Sequence, residues 1–251
     1  MRPAYELVGR GAPLVLVPGT FSDRRVWQRI LGALQLRHRC LLFDPRGTGA
    51  SPDPGTSFSP DDLAEDALAA MDAADVHRAD LVGHSLGAAV ALTVAARHPA
   101  RVRRVAVIGP TLGIDPHLRL VLDHWEALAR SDLDDRALAL GLFLDAFGRA
   151  AFERLVPAIV TEWVRRPLPK KTVLRYVACD RAQDLASLLG RVDAPVLVVA
   201  GEEDGLPGPG QAAALADGLA DAQLHLIPGC GHTPQVERPG EVARLLTDFF
   251  R

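Results

Sequence analysis

Residues 79–92 read Ala79-Asp80-Leu81-Val82-Gly83-His84-Ser85-Leu86-Gly87-Ala88-Ala89-Val90-Ala91-Leu92, and this stretch decides the fold. An apolar run feeds an alanine-rich run through five residues with two glycines, which predicts a strand, a sharp turn and a helix with Ser85 at the apex. Gly83 and Gly87 flank the bend because the neighbouring backbone comes too close for a Cβ. The helix that begins at Leu86 aims its first N–H groups at the same point. Five residues alone also fit an ordinary glycine turn with a surface serine, so partners for Ser85 have to come from elsewhere in the chain.

Outward from this bend, strands and helices alternate. Tyr5 to Val8 reads as a short strand, and Leu14 to Val17 is a continuous apolar run of the kind buried on both faces of a parallel sheet. It ends at Pro18-Gly19-Thr20-Phe21. A helix is expected from about Asp23, then a strand from Cys40 to Phe43. Ser59-Pro60-Asp61-Asp62 opens another helix with an N-cap serine, an early proline and acids near the positive end of the dipole. Val102 to Ile108 gives a strand rich in β-branched residues. From Leu112 to Gly190 no strand is predicted and only helical spacing recurs, so residues 112–190 read as a helical insert. Alternation resumes with a strand at Val196–Ala200, a helix at Ala212–Leu219, a strand at Leu224–Ile227 and a helix from Glu241 to Phe250. The expected architecture is α/β: a mostly parallel, doubly wound sheet formed by residues 1–111 and 191–251, flanked by helices and carrying the helical insert.

With 251 residues and 48% hydrophobic content, the chain can bury a substantial core. A net charge of −3 without long like-charge blocks argues against a nucleic-acid partner. Arg101, Arg103 and Arg104 read as a solvated turn between helix and strand. Cys40, Cys179 and Cys230 are odd in number, widely spaced and never C-x-x-C, which suggests neither a disulfide framework nor a zinc site and fits a reducing cytoplasm. The first apolar run is short and closes at Pro18, so no signal peptide or membrane span is expected.

A serine hydroxyl attacks poorly until a base removes its proton, and the base needs an acid to hold its tautomer. In open α/β sheets the site lies beyond the C-terminal strand ends. Asp204, after the Val196–Ala200 strand, and His232, after the Leu224–Ile227 strand, occupy such ends. Asp115, after Val102–Ile108, is the rival acid. His84 adjoins Ser85 but should point to the other side of the strand, where packing is its role. A tetrahedral oxyanion needs two preorganised donors, each worth about 3 kcal/mol of barrier. Leu86 N–H supplies one, and the loop after Leu14–Val17 should supply the other.

The Gly-x-Ser-x-Gly bend at residues 83–87 and the order Ser85, Asp204, His232 resemble the α/β-hydrolase family. So does Asp44-x-Arg46-Gly47-x-Gly49-x-Ser51, whose expected job is structural: Arg46 bridges backbone carbonyls while the glycines turn the chain. The resemblance spans residues 5–250, with 112–190 as the family's variable cap, and Pro18 stands where the family shows histidine. It implies that the second oxyanion donor is Thr20 or, one residue on, Phe21. It also implies a serine hydrolase that cleaves an ester, lactone or thioester of a small, largely apolar molecule through an acyl-enzyme. Serine at the bend argues against the dehalogenase and epoxide-hydrolase branches.

Phe21, Trp125, Phe143, Phe147 and Trp163 are the expected substrate contacts, Cys230 is a further residue near the pocket, and Arg165, Arg166, Lys170 and Lys171 read as solvated helix ends. No metal, nucleotide or flavin is implied. The partner is a small-molecule substrate handled by a monomer or homodimer. Two alternatives stay open: the same triad used for carbon–carbon cleavage, elimination or cofactor-free peroxide chemistry, and a ligand receptor built on the scaffold.

Overall fold

Alternating apolar runs and helical spacings build an open sheet covered by helices in the computed structural model, which describes residues 2–251. The chain runs β1 (Tyr5–Val8), β2 (Ala12–Val17), α1 (Gln28–Leu34), β3 (His38–Phe43), α2 (Pro60–Ala73), β4 (Ala79–His84), α3 (Leu86–Arg97) and β5 (Val102–Ile108). Four helices follow without an intervening strand: α4 (Pro116–Arg130), α5 (Asp135–Phe143), α6 (Arg149–Arg165) and α7 (Lys170–Arg181). The sheet is then completed by β6 (Val196–Gly201), α8 (Gly208–Asp217), β7 (Ala222–Ile227), α9 (Pro234–Glu237) and α10 (Pro239–Phe249).

The seven strands lie in the order β1-β3-β2-β4-β5-β6-β7, and β1 is the antiparallel member, pairing with β3. Side chains alternate across the sheet as the two-residue period of a strand requires. Val15 and Val17 of β2 enter the layer beneath α2, α3 and α8, whereas Leu14 and Leu16 enter the opposite layer with Trp27, Ile30 and Leu34 near α1 and Val242 and Leu246 of α10. Each fully buried leucine of this kind contributes roughly 1.5–3 kcal/mol. α2 begins as expected: Ser59 Oγ accepts from Asp62 N–H at 3.2 Å while Asp62 Oδ2 accepts from Ser59 N–H at 2.8 Å.

Local chemistry moved several boundaries. The helix expected from Asp23 starts at Gln28, because Asp23 caps a separate 3-10 turn over Arg24–Trp27. β7 begins at Ala222 and α10 at Pro239. Arg103 and Arg104 belong to β5 and do not form a solvated turn. They clamp the fully buried Asp80 at 3.1 and 3.3 Å, and Arg104 also binds the carbonyls of Phe249 and Phe250. Arg46 also differs from expectation: its main partner is the Asp66 carboxylate, at 2.6 Å, with the Asp62 carbonyl at 2.7 Å. Among the described residues no helix is long and apolar enough to cross a membrane.

Candidate active site

Ser85 sits between β4 and α3 with φ 54° and ψ −122°. A non-glycine residue at positive φ is strained, and such strain persists only where the surroundings hold it. Ser85 N–H donates to Ile108 O at 2.9 Å, and Ser85 O accepts from Ala88 N–H at 2.8 Å. The flanking glycines are sterically required. A methyl group on Gly83 would stand 2.7 Å from Ala88 Cα, and one on Gly87 would stand 2.5 Å from Pro18 O.

Asp204 and His232 lie just beyond β6 and β7, and His232 Nδ1 is 2.9 Å from Asp204 Oδ2. Both side chains are buried. Burial alone would raise the Asp204 carboxyl, but the charge and hydrogen bond of His232, with Leu206 N–H at 2.9 Å on Oδ1, bring it below its ordinary value. An ionised Asp204 keeps the proton on Nδ1 and leaves Nε2 as the basic nitrogen. Gly109, at φ 56°, lets the imidazole lie across the end of β5, since a Cβ there would come within 3.0 Å of Nδ1. Asp115 is occupied elsewhere: it caps α4 through Leu118 N–H at 2.8 Å and accepts from Gln211 Nε2 at 2.8 Å.

His232 and Ser85 line one narrow cavity together with Thr20, Thr111, Asp180, Gln183 and an apolar wall that includes Leu118, Leu122, Trp125 and Leu206. Leu86 opens α3 beside Ser85, in the turn whose N–H groups have no intrahelical acceptor. Of the five expected substrate contacts, Trp125 lines this cavity. Phe21, at φ 60°, turns its ring into a cluster behind it, 5.3 Å from Trp125 and 6.3 Å from Trp163, which in turn packs 5.4 Å from Phe143. Phe147 lies instead against the histidine loop, where a Cβ on Gly231 would be 2.8 Å from its Cα. Cys230 is fully buried in the α1/α10 layer, outside the cavity lining, and burial pushes its thiol up to about 12.

The sequence reading missed three roles. His84 does more than pack: its ring centroid is 5.0 Å from that of His232, and its Nε2 is 3.0 Å from the His232 carbonyl oxygen. Burial, reinforced by the charge of His232, pushes the His84 pKa down to about 3, so the neutral ring donates from Nε2. Asp180 of α7 and Gln183 just beyond it reach the cavity from the helical segment. Nothing but helical spacing marked that stretch, and spacing cannot tell a residue facing a cavity from one facing the core. A seam also joins the α5–α6 turn to the His232 loop, to α9 and to the Asp204 loop. His232 N–H donates to Ala146 O at 3.1 Å, Gly148 N–H to Glu237 Oε2 at 3.0 Å, and Arg149 N–H to Glu203 Oε2 at 2.8 Å.

Among the described residues no group of three or more His, Cys, Asp or Glu side chains is placed to hold a metal ion. RutD of Variovorax paradoxus (strain S110), named as a proposed carbamate hydrolase, is 32% identical over 98% of this chain and 95% of its own length. The 2-hydroxymuconate semialdehyde hydrolase of Pseudomonas sp. (strain CF600) is 29% identical over 96% of this chain and 88% of its own length. Among solved structures, the enol-lactonase from Burkholderia xenovorans LB400 superposes with a TM-score of 0.88 at 27% identity, covering 99% of this chain and 96% of the other. The alpha/beta hydrolase fold family matches residues 12–239. With β1 antiparallel on an otherwise parallel seven-stranded sheet, and Ser85, Asp204 and His232 each just past a strand end, the chain belongs to the alpha/beta hydrolase fold family.

Proposed function

We propose that the protein is a serine hydrolase that cleaves the carboxylic ester, lactone or thioester of a small, largely apolar molecule. The observation that carries this reading is the 2.9 Å contact of Asp204 with His232, whose imidazole lines one cavity with Ser85. Ser85 Oγ attacks the substrate carbonyl while His232 Nε2 takes its proton, and Asp204 stabilises the resulting imidazolium. The oxyanion is held by Leu86 N–H and by Thr20 N–H, with Phe21 as the neighbouring candidate donor. Collapse breaks the bond to the alcohol or thiol, protonated by His232, and leaves an acyl-Ser85; an ester or thioester releases that group, whereas a lactone keeps its new hydroxyl on the acyl chain. Water activated by His232 then hydrolyses that intermediate.

Helices α4–α7 act as the cap. The apolar wall of α4, from Leu118 to Trp125, favours an apolar acyl or ring group. Three fully buried free cysteines suit a reducing cytoplasm. The test is a panel of short- and medium-chain nitrophenyl esters and small lactones run on wild type and Ser85→Ala, together with fluorophosphonate labelling. Turnover and labelling that disappear in Ser85→Ala support the reading. Equal rates in the two proteins overturn it.

A further inference from the structure

Asp180 is difficult to explain as packing. It lies in the last turn of α7, where the helix carbonyls already carry partial negative charge. Its side chain is buried in the cavity with Ser85 and His232, and no ion pair neutralises it among the described residues. Its hydrogen-bond partners are neutral: Thr20 Oγ1 lies 2.9 Å from both carboxyl oxygens, and Gln183 Nε2 donates to Oδ1 at 2.8 Å. Burial raises its pKa to about 7, and the Thr20 bond and the His232 charge offset only part of that rise. An asparagine would accept from Thr20 without this desolvation cost.

Gln183 adds a second, independent observation. It is 7% exposed, it lines the same cavity, and with its amide nitrogen on Asp180 its Oε1 has no donor among the described residues. Buried acceptors are nearly always paired, and an unpaired one needs an explanation. Once ionised, above about pH 7, the Asp180 carboxylate has about four acceptor positions, of which Thr20 and Gln183 occupy two. The cavity therefore has an acceptor-rich end beside the Thr20 loop and an apolar end along α4.

We infer that Asp180 and Gln183 form a donor-recognising subsite that selects substrates bearing a hydroxyl or N–H group near the scissile carbonyl. This rests on the reading of Ser85 as nucleophile and specifies which acyl or alcohol groups that site prefers. A donor on the substrate satisfies the spare acceptors, whereas an ether or methyl group in the same place leaves them buried and unpaired. Sites built to bond a hydroxyl reject analogues lacking it much more strongly than apolar pockets reject an added group.

The test is a set of 4-nitrophenyl butanoates with hydroxyl or methoxy groups at carbons 2 and 3, compared as the ratio of kcat/KM for hydroxyl over methoxy at each position. Both members of a pair use the same Ser85 chemistry, so the ratio isolates the subsite. Wild type is expected to favour the hydroxyl member at one position by about tenfold or more. In Asp180→Asn, which places an N–H donor among the acceptors, the ratio should fall towards or below one. Gln183→Met should lower it as well, and it supplies the same readout if the Asp180 variant does not fold. If Asp180 only anchored Thr20, both members would slow equally and the ratio would not move. A ratio near one at every position in wild type overturns the inference, and so does a preference that both variants retain. Absence of any turnover or labelling at Ser85 instead overturns the nucleophile reading.

Discussion

His84 Nε2 stands 3.0 Å from the carbonyl oxygen of His232, so the residue immediately before Ser85 holds the main chain of the proposed base. His84→Leu removes the donor and leaves that buried carbonyl short of a partner. The expected result is a fall in kcat of roughly ten- to a hundredfold from misplacement of the imidazole, with little change in KM. His84→Gln, which can still donate, should recover part of the loss. A steady-state comparison of the three proteins checks this.

The same residue gives a pH signature. Its folded pKa is lowered to about 3 from 6.5, so the unfolded chain binds the extra proton over that interval. The His84 contribution is fully present above about pH 6.5 and is lost as pH falls towards 3. Asp180 acts in the opposite sense, because its folded pKa is raised to about 7 from 3.8 and stability declines as pH rises between those values. Urea midpoints at pH 4.5 and pH 7.5 should therefore change in opposite directions in the two variants. Relative to wild type, His84→Leu improves towards the acid side and Asp180→Asn towards the neutral side.

Asp204→Asn keeps the shape of the residue but loses the charge that fixes the Nδ1–H tautomer of His232. A fall in kcat of about 10⁴ is expected, with a circular dichroism spectrum like that of wild type. A loss smaller than tenfold in the nitrophenyl ester assay would mean that another group orients the imidazole.

Two glycines provide a steric contrast. In Gly87→Ala the new methyl stands 2.5 Å from the carbonyl oxygen of Pro18 and forces the two turns apart. Overpacking of this kind costs about 1–3 kcal/mol, and here it also displaces the loop that carries Thr20, so stability and kcat should fall together. Gly32 lies in α1, where a Cβ would meet no described atom within 4 Å beyond its own stretch of helix. Gly32→Ala should be neutral or stabilising by up to about 1 kcal/mol. Thermal melts of both variants decide the point.

The sheet was legible because β2, β4, β5 and β6 are short apolar runs bounded by Gly or Pro, and a run buried on both faces has few other readings. The placement of Asp204 and His232 beyond β6 and β7 was legible for a related reason: a strand end is a position the sequence reveals. The interior of the helical segment was not. Helical spacing placed Trp125 and Trp163 on apolar faces, but which face looks into a cavity depends on how the helices cross, and only Trp125 of the two lines it. Asp180 was obscured for the same reason. Arg103 and Arg104 looked like solvated charges because their partner, Asp80, is 23 or 24 residues away and buried inside the neighbouring strand.

The bonds that tie Ala146 to His232, Gly148 to Glu237 and Arg149 to Glu203 limit how the chamber can admit a guest. A roof stitched to the base in this way cannot lift as one plate without dragging the imidazole's own backbone out of register with Ser85. Loosening those stitches therefore costs turnover before it hastens entry.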